Sequence, residues 1–329
     1  MDVYKDLSGN YPDCIVTYFN FEEYAAQIDH SDKALFMGYN TQFLTDEIKE
    51  MRDKYKYFIF FNQEMPCAYT NSSKHIRDTA SDLNNTFDHV YTICPLTGEW
   101  LNTVYNNGRD KYKPILFPID EKRIIDGNEK IYDSIFYGSV CGKDHEECIN
   151  IIRHYKYNFV TLGSQYWHPN EPGVDINALN QHVTHQNIHT FEKWKILSQT
   201  RTIPIYNQLY LHDDHIENIK KTDHWEKNEA WSHLSENRCP QLKPRVTEAA
   251  MFKMLMLVKR DPWNLIEYWF ESGKDFIYFD SNEELSEMIE DINKNYEKYK
   301  PIVENAYNKA IKNYTTKALL DSMVNGIKK

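Results

Sequence analysis

Short apolar runs, rich in β-branched and aromatic residues, recur along this chain between polar stretches long enough for helices. In the first part the runs are CIVTYF (14–19), ALFMGY (34–39), YFIFFN (57–62), HVYTICP (89–95) and KPILFPID (113–120). After a charged connector, FPIDEKRIIDGNEKIYD (117–133), the pattern restarts with SIFYGSV (134–140), NFVTLG (158–163), RTIPIYN (201–207), LMLVKR (255–260) and DFIYFDS (275–281). Helical spacing separates these runs in HEECINIIRHYKY (145–157), FEKWKILSQT (191–200) and RVTEAAMFKM (245–254). Residues 282–327 read as a helical tail interrupted at Pro301. Buried strands spaced by helices predict parallel sheets covered on both faces.

The restart implies two α/β domains, 1–125 and 126–329. At 329 residues the length suits this, since one domain usually takes roughly 100–200 residues. A polar insertion at 208–240, with four histidines and two tryptophans, interrupts the second domain and reads as a surface loop or lid. His212, His215, His224 and His233 are of metal-ligand type, but without a C-x-x-C or H-E-x-x-H spacing they are expected to be solvated. Six cysteines, none in a C-x-x-C pair, read as reduced thiols in a chain this long. No apolar run approaches the ~20 residues of a membrane helix, and the N-terminus shows no basic segment followed by an apolar one. A cytoplasmic location is expected. A net charge of −11 argues against an extended nucleic-acid surface, while a local basic groove stays open.

Ligands of open α/β sheets sit beyond the carboxyl ends of the strands. The residues there are Asn62 and Glu64 in the first part. In the second they are Gly138 and Ser139, Gly163, Asn207, and the cluster Lys243, Arg245 and Glu248 at the start of a helix. Glycine turns and helix N-termini present free N–H groups to phosphate oxygens, and Lys or Arg would add charge-assisted bonds. A carboxylate one turn into the helix would accept hydrogen bonds from a ribose diol. The plainer reading, favoured on spacing alone, is that Glu248 complements the helix dipole and that Lys243 and Arg245 are solvated. Lys193 and Lys195, flanking Trp194, likewise read as a solvated helix face.

The stretch KPRVTEAAMFKMLMLVKRDPWNLIEYWFESGKDFIYFDSNEELSEMIEDI (243–292) resembles the C-terminal end of group 1 glycosyltransferases of GT-B fold, nearest the CgeB-like branch. Those sequences run R-x-x-E-A-A, a short apolar strand, a turn glutamate, F-x-x-G-K-[DE], a strand and an E-E-L helix. Here the matches are Arg245, Glu248, Ala249 and Ala250, then Glu267, Phe270, Gly273, Lys274 and Asp275, then Glu283, Glu284 and Leu285. YDSIFYGSV (132–140) resembles the strand opening the family's nucleotide domain. The likeness spans residues 130–325, and the first half shares only the pattern.

The resemblance implies two Rossmann-like domains facing each other across a cleft. It implies transfer of a sugar from a UDP- or GDP-linked donor to a glycan or small-molecule acceptor, with retention and no required cofactor or metal. By the same likeness Glu248 holds the donor ribose, Gly138 and Ser139 form the turn near the diphosphate, and Lys243 and Arg245 lie beside it. Glu267 is the turn glutamate; Gly163 and Asn207 join the donor side on their strand-end positions alone. Lys243, Arg245, Lys143 and helix N-termini stabilise the leaving group, and Asn62 and Glu64 line the acceptor side, Glu64 being counted with the catalytic groups. Two positions depart from the pattern. Pro240 stands where a second, sugar-facing glutamate is usual, and Lys253 where a glycine is usual. The Pro240 departure keeps a lapsed nucleotide-sugar binding protein open, and a phage-type DNA-base glycosyltransferase and a nucleotide-sugar epimerase of this fold stand as separate alternatives.

Overall fold

The computed structural model describes residues 30–39, 55–62, 84–125, 127–140, 142–161, 175–222 and 224–327. The strand expected at 14–19, Glu64 and Gly163 lie outside the described residues. The chain divides into two compact units. One holds the described residues up to Ile115 together with Asp213–Glu229, and the other holds Leu116–His212 with the residues from Ala230 onward.

The first unit is a parallel sheet in the order β1-β2-β3-β4: β1 (His30–Tyr39), β2 (Tyr55–Asn62), β3 (His89–Thr92) and β4 (Tyr112–Pro114). Strand β3 stops short of the expected 89–95 because Pro95 begins a helix, α1 (Pro95–Tyr105). Proline's fixed φ and missing N–H suit a first helical turn and not a central strand. Phe58, Phe60, Phe87, Val90 and Leu101 are buried in this unit's core, with the Phe87 ring 4.8 Å from Phe58 and 4.9 Å from Phe60.

The second unit is a parallel sheet in the order β12-β11-β8-β5-β6-β7. Its strands are β5 (Tyr132–Tyr137), β6 (Tyr157–Thr161), β7 (His185–Gln186), β8 (Thr200–Ile205), β11 (Leu255–Lys259) and β12 (Ile277–Phe279). A separate antiparallel ribbon joins β9 (Gln208–Tyr210) to β10 (Arg238–Pro240). In chain order the helices are α2 (Lys143–Ile152), α3 (Ile176–Asn180), α4 (Thr190–Ser198), α5 (Asp213–Lys220), α6 (Pro244–Met251), α7 (Asn282–Lys294), α8 (Tyr296–Asn313) and α9 (Thr316–Ile327). Side-chain alternation along a strand sends Phe136 toward α2, its ring 5.1 Å from His145, and Tyr137 toward α4 and α6. Cys148, Ile149 and Ile152 of α2 and Leu285, Ile289 and Ile292 of α7 join Phe136, Phe159 and Leu257 in one buried cluster. Chain direction across this sheet reverses at β5: β6 and β7 are laid on one side, then β8, β11 and β12 on the other. The switch point therefore lies between β5 and β8.

Two further sequence expectations change. The tail breaks at Asn295, the residue between α7 and α8, and Pro301 sits inside α8. One missing N–H near a helix start costs a single hydrogen bond, which the rest of an 18-residue helix tolerates. The 208–240 segment is not a solvated loop. It carries the β9–β10 ribbon and α5, and it buries Ile219, Ala230, Trp231, Leu234 and Cys239. Trp100 donates from its indole N–H to the His224 carbonyl at 3.2 Å, tying the segment's middle to α1.

Candidate donor site at the switch point

Gly138 and Ser139 follow β5, and Tyr206 and Asn207 follow β8, so both pairs lie at the carboxyl ends flanking the switch point. Gly138 has φ +100°, a region that costs other residues strain. A Cβ on it would meet Arg245 Nη2 at 2.9 Å. The missing side chain is what lets the guanidinium lie down on the turn. Arg245 donates through Nη2 to the Ser139 carbonyl at 3.3 Å, and its guanidinium carbon lies 4.5 Å from the Phe136 ring centre. Helix α6 delivers it: Lys243 is the N-cap, Pro244 the first helical residue, and Arg245 and Glu248 are one turn apart. Neither cation is solvated; Arg245 is 5% and Lys243 8% exposed. The helix-dipole reading that left both in water is thus corrected. Apolar positions at Val246, Ala249 and Ala250 drive α6 against the sheet, and the charged residues between them are carried inward.

Glu248 is buried and engaged through both carboxylate oxygens. Its Oε2 accepts from the Tyr137 hydroxyl at 2.6 Å, and its Oε1 accepts from Lys193 Nζ at 2.5 Å and from Trp194 Nε1 at 3.3 Å. Lys193 is therefore not on a solvated face, as the flanking pattern suggested. Its position shares a helix side with Ile196 and Leu197 at i+3 and i+4, and that spacing was the available signal. Burial, and then the Glu248 carboxylate, push the Tyr137 phenol well above its usual range. His145, packed between Phe136 and Tyr206, is held well below the usual imidazole value by burial and then by Lys243 and Arg245. A neutral ring thus backs the two cations. Tyr137 and His145 escaped the sequence reading, and the Lys193–Trp194 pair was read there as part of a solvated face.

Other expected residues are placed as follows. Lys143 opens α2 with a side chain 70% exposed, 3.9 Å from Glu147. Asn207 follows β8; its carbonyl accepts from Gln241 N at 2.8 Å, and both polar atoms of its amide are buried with no protein partner. Glu267 is exposed in the turn after β11. Asn62 ends β2, paired with Tyr39 and Thr92. Gly142, the N-cap of α2, has φ +92°, and a Cβ there would meet the Tyr210 ring at 2.7 Å. Asp144 accepts from Gln208 Nε2 at 2.6 Å and from the Tyr210 hydroxyl at 3.0 Å, fastening the ribbon to α2. Pro240 ends β10, opposite Gln208. Lys253 stands at φ +53°, just past α6. The bonds Met254 N to Ala249 O and Lys253 N to Ala250 O close a Schellman cap, which explains why a glycine is usual there. Among the described residues no group of three or more His, Cys, Asp and Glu side chains is placed to share a metal ion, and no helix is long and apolar enough to cross a membrane.

A chain with this geometry has known counterparts. The family model described as "Glycosyl transferase-like" matches residues 145–325. Among solved structures, HepE from Anabaena, determined with UDP-glucose, is 9% identical with a TM-score of 0.60, the match covering 89% of this chain and 78% of that one. Sucrose-phosphate synthase from Thermosynechococcus elongatus is 10% identical with a TM-score of 0.61, covering 94% and 75%. A glycosyltransferase from Rickettsia africae is 12% identical with a TM-score of 0.54, covering 87% and 80%. No curated protein matches in sequence. The expected GT-B fold is borne out by these neighbours, and the family model spans more than half of the chain: it belongs to the glycosyl transferase-like family and is a glycosyltransferase.

Proposed function

We propose that the chain moves a sugar from a UDP- or GDP-linked donor to a hydroxyl of a glycan or small molecule, with retention at the anomeric carbon. The observation that carries this reading is Arg245, seated over the Gly138–Ser139 turn at the switch point, one helical turn from Glu248. A planar guanidinium held in place suits a diphosphate through paired hydrogen bonds. In the reaction the bond from the anomeric carbon to the β-phosphate oxygen breaks and the acceptor oxygen bonds that carbon. Nucleoside diphosphate and a proton are released. Charge develops on the departing phosphate, where fixed cations and N–H groups act most strongly.

In this assignment Arg245 and Lys243 meet the diphosphate from α6. Lys143 and the first amides of α2 meet it from the turn after β5, with no metal required. Glu248 faces the ribose, and Gly163, Asn207 and Glu267 complete the donor side. Asn62 and Glu64 take the acceptor side, Glu64 with a catalytic role. Support comes from neighbours solved with UDP-glucose and with UDP and glucose. A DNA base as acceptor gains no support from these ligands or from the net charge of −11. The position of Pro240 favours a second reading, a binding protein without turnover, because no carboxylate reaches the sugar from there.

The test is release of nucleoside diphosphate by the full chain over a panel of UDP- and GDP-sugars, with and without glycan acceptors. Release stimulated by an acceptor is expected. Binding with no release would replace the enzyme with a binding protein, and donor interconversion without an acceptor would indicate an epimerase. Salt-dependent retention on duplex DNA would reopen the nucleic-acid acceptor.

A further inference from the structure

Glu248 meets the donor site with little hydrogen-bonding capacity to spare. A carboxylate offers about four lone-pair directions. Three are taken, by Lys193 Nζ at 2.5 Å, Trp194 Nε1 at 3.3 Å and the Tyr137 hydroxyl at 2.6 Å. A vicinal diol donating through both hydroxyls would need two. Displacing a partner is unfavourable, because the Lys193 and Glu248 side chains are only 9% and 8% exposed and a buried charge left alone is strongly destabilising. Tyr137 also immediately precedes Gly138, and its ring lies 5.7 Å from the Arg245 guanidinium. The same network therefore fixes the strand end on which the diphosphate turn is built.

We propose that Lys193 and Tyr137 are positioning residues of the donor site, which hold both oxygens of Glu248 so that the carboxylate reads one ribose hydroxyl rather than the diol. This rests on the proposed function, in which Glu248 faces the ribose. The resemblance to the family accounts for the glutamate. The restriction comes from the Lys193, Trp194 and Tyr137 contacts of this chain.

The experiment is calorimetric titration of the full wild-type chain with UDP and GDP, then with the 2′-deoxy and 3′-deoxy forms of whichever binds. One deoxy form is expected to bind roughly ten- to a hundredfold more weakly, as for a lost hydrogen bond to a charged group, and the other within about threefold of the parent. Equal weakening of both, or of neither, overturns the proposal while leaving a nucleotide-binding site in place. Failure of both UDP and GDP to bind overturns the donor reading and the proposal with it. Tyr137→Phe, checked for folding by its thermal melt, opens one direction on Oε2. The hydroxyl that the wild type ignores should then be read, and selectivity identical to wild type in that variant counts against the proposal. Lys193→Arg should keep the wild-type selectivity, and its loss there would count against the positioning role.

Discussion

At the scale of single residues, the switch point depends on a glycine that is absent as a side chain and an arginine that occupies its place. Gly138→Ala adds a Cβ 2.9 Å from Arg245 Nη2 at φ +100°. Left-handed backbone costs alanine about 1–2 kcal/mol, and the guanidinium must move off the Ser139 carbonyl. We predict a stability loss of that order, read by chemical denaturation, with a larger fractional loss in nucleotide affinity. Asp261 offers a second measurement. Burial lifts its carboxyl to about 6, against two bonds accepted from Trp263 N and Leu265 N. The folded state then binds the proton more tightly than the unfolded chain, so this contribution is full below about pH 4 and is lost as pH rises through 6. Denaturation free energies of wild type minus Asp261→Asn should fall across that window; a flat difference would refute the assignment. Sequence made Arg245 and Glu248 visible through their spacing. It hid Tyr137, which sits between Phe136 and Gly138 in an apolar run that does not say which face each side chain takes, and it gave for Lys193 only the i+3 and i+4 spacing to Ile196 and Leu197.

At the scale of elements, α6 was the most legible, because Pro244 marks its start and Val246, Ala249 and Ala250 its buried stripe. Its end was harder to read, since the left-handed cap falls on Lys253 and not on a glycine. There the lysine lies 3.3 Å from Glu304 and 4.4 Å from the Tyr307 ring centre, contacts with α8 that a glycine would lack. Helix α8 itself was misread at Pro301, since proline breaks a helix only where the lost hydrogen bond and ring clash outweigh the rest of the element. Pro301 is exposed, so Pro301→Ala is a clean probe. It restores one N–H donor and should raise stability by roughly 1 kcal/mol or more, seen as a higher thermal midpoint. An unchanged or lower midpoint would show that the proline fits its site without cost. In the 208–240 segment, polarity suggested solvent, yet enough apolar residues are spaced through it to form a ribbon and buried anchors.

At the scale of the whole molecule, the restart of the strand–helix pattern after 133 anticipated two parallel sheets, and both are present. What could not be read was that Asp213–Glu229 groups with the first unit, because that depends on pairing over more than a hundred residues, as in the bond from Trp100 to His224. The proposed function requires the donor to be held at the β5–β8 switch point of the second unit. Backbone hydrogen exchange of the full chain, with and without saturating UDP or GDP, tests it most directly. Slowed exchange is predicted at the amides of 138–145 and 245–249. Nucleotide binding that leaves those amides unchanged, with protection confined to β1–β4, would contradict it.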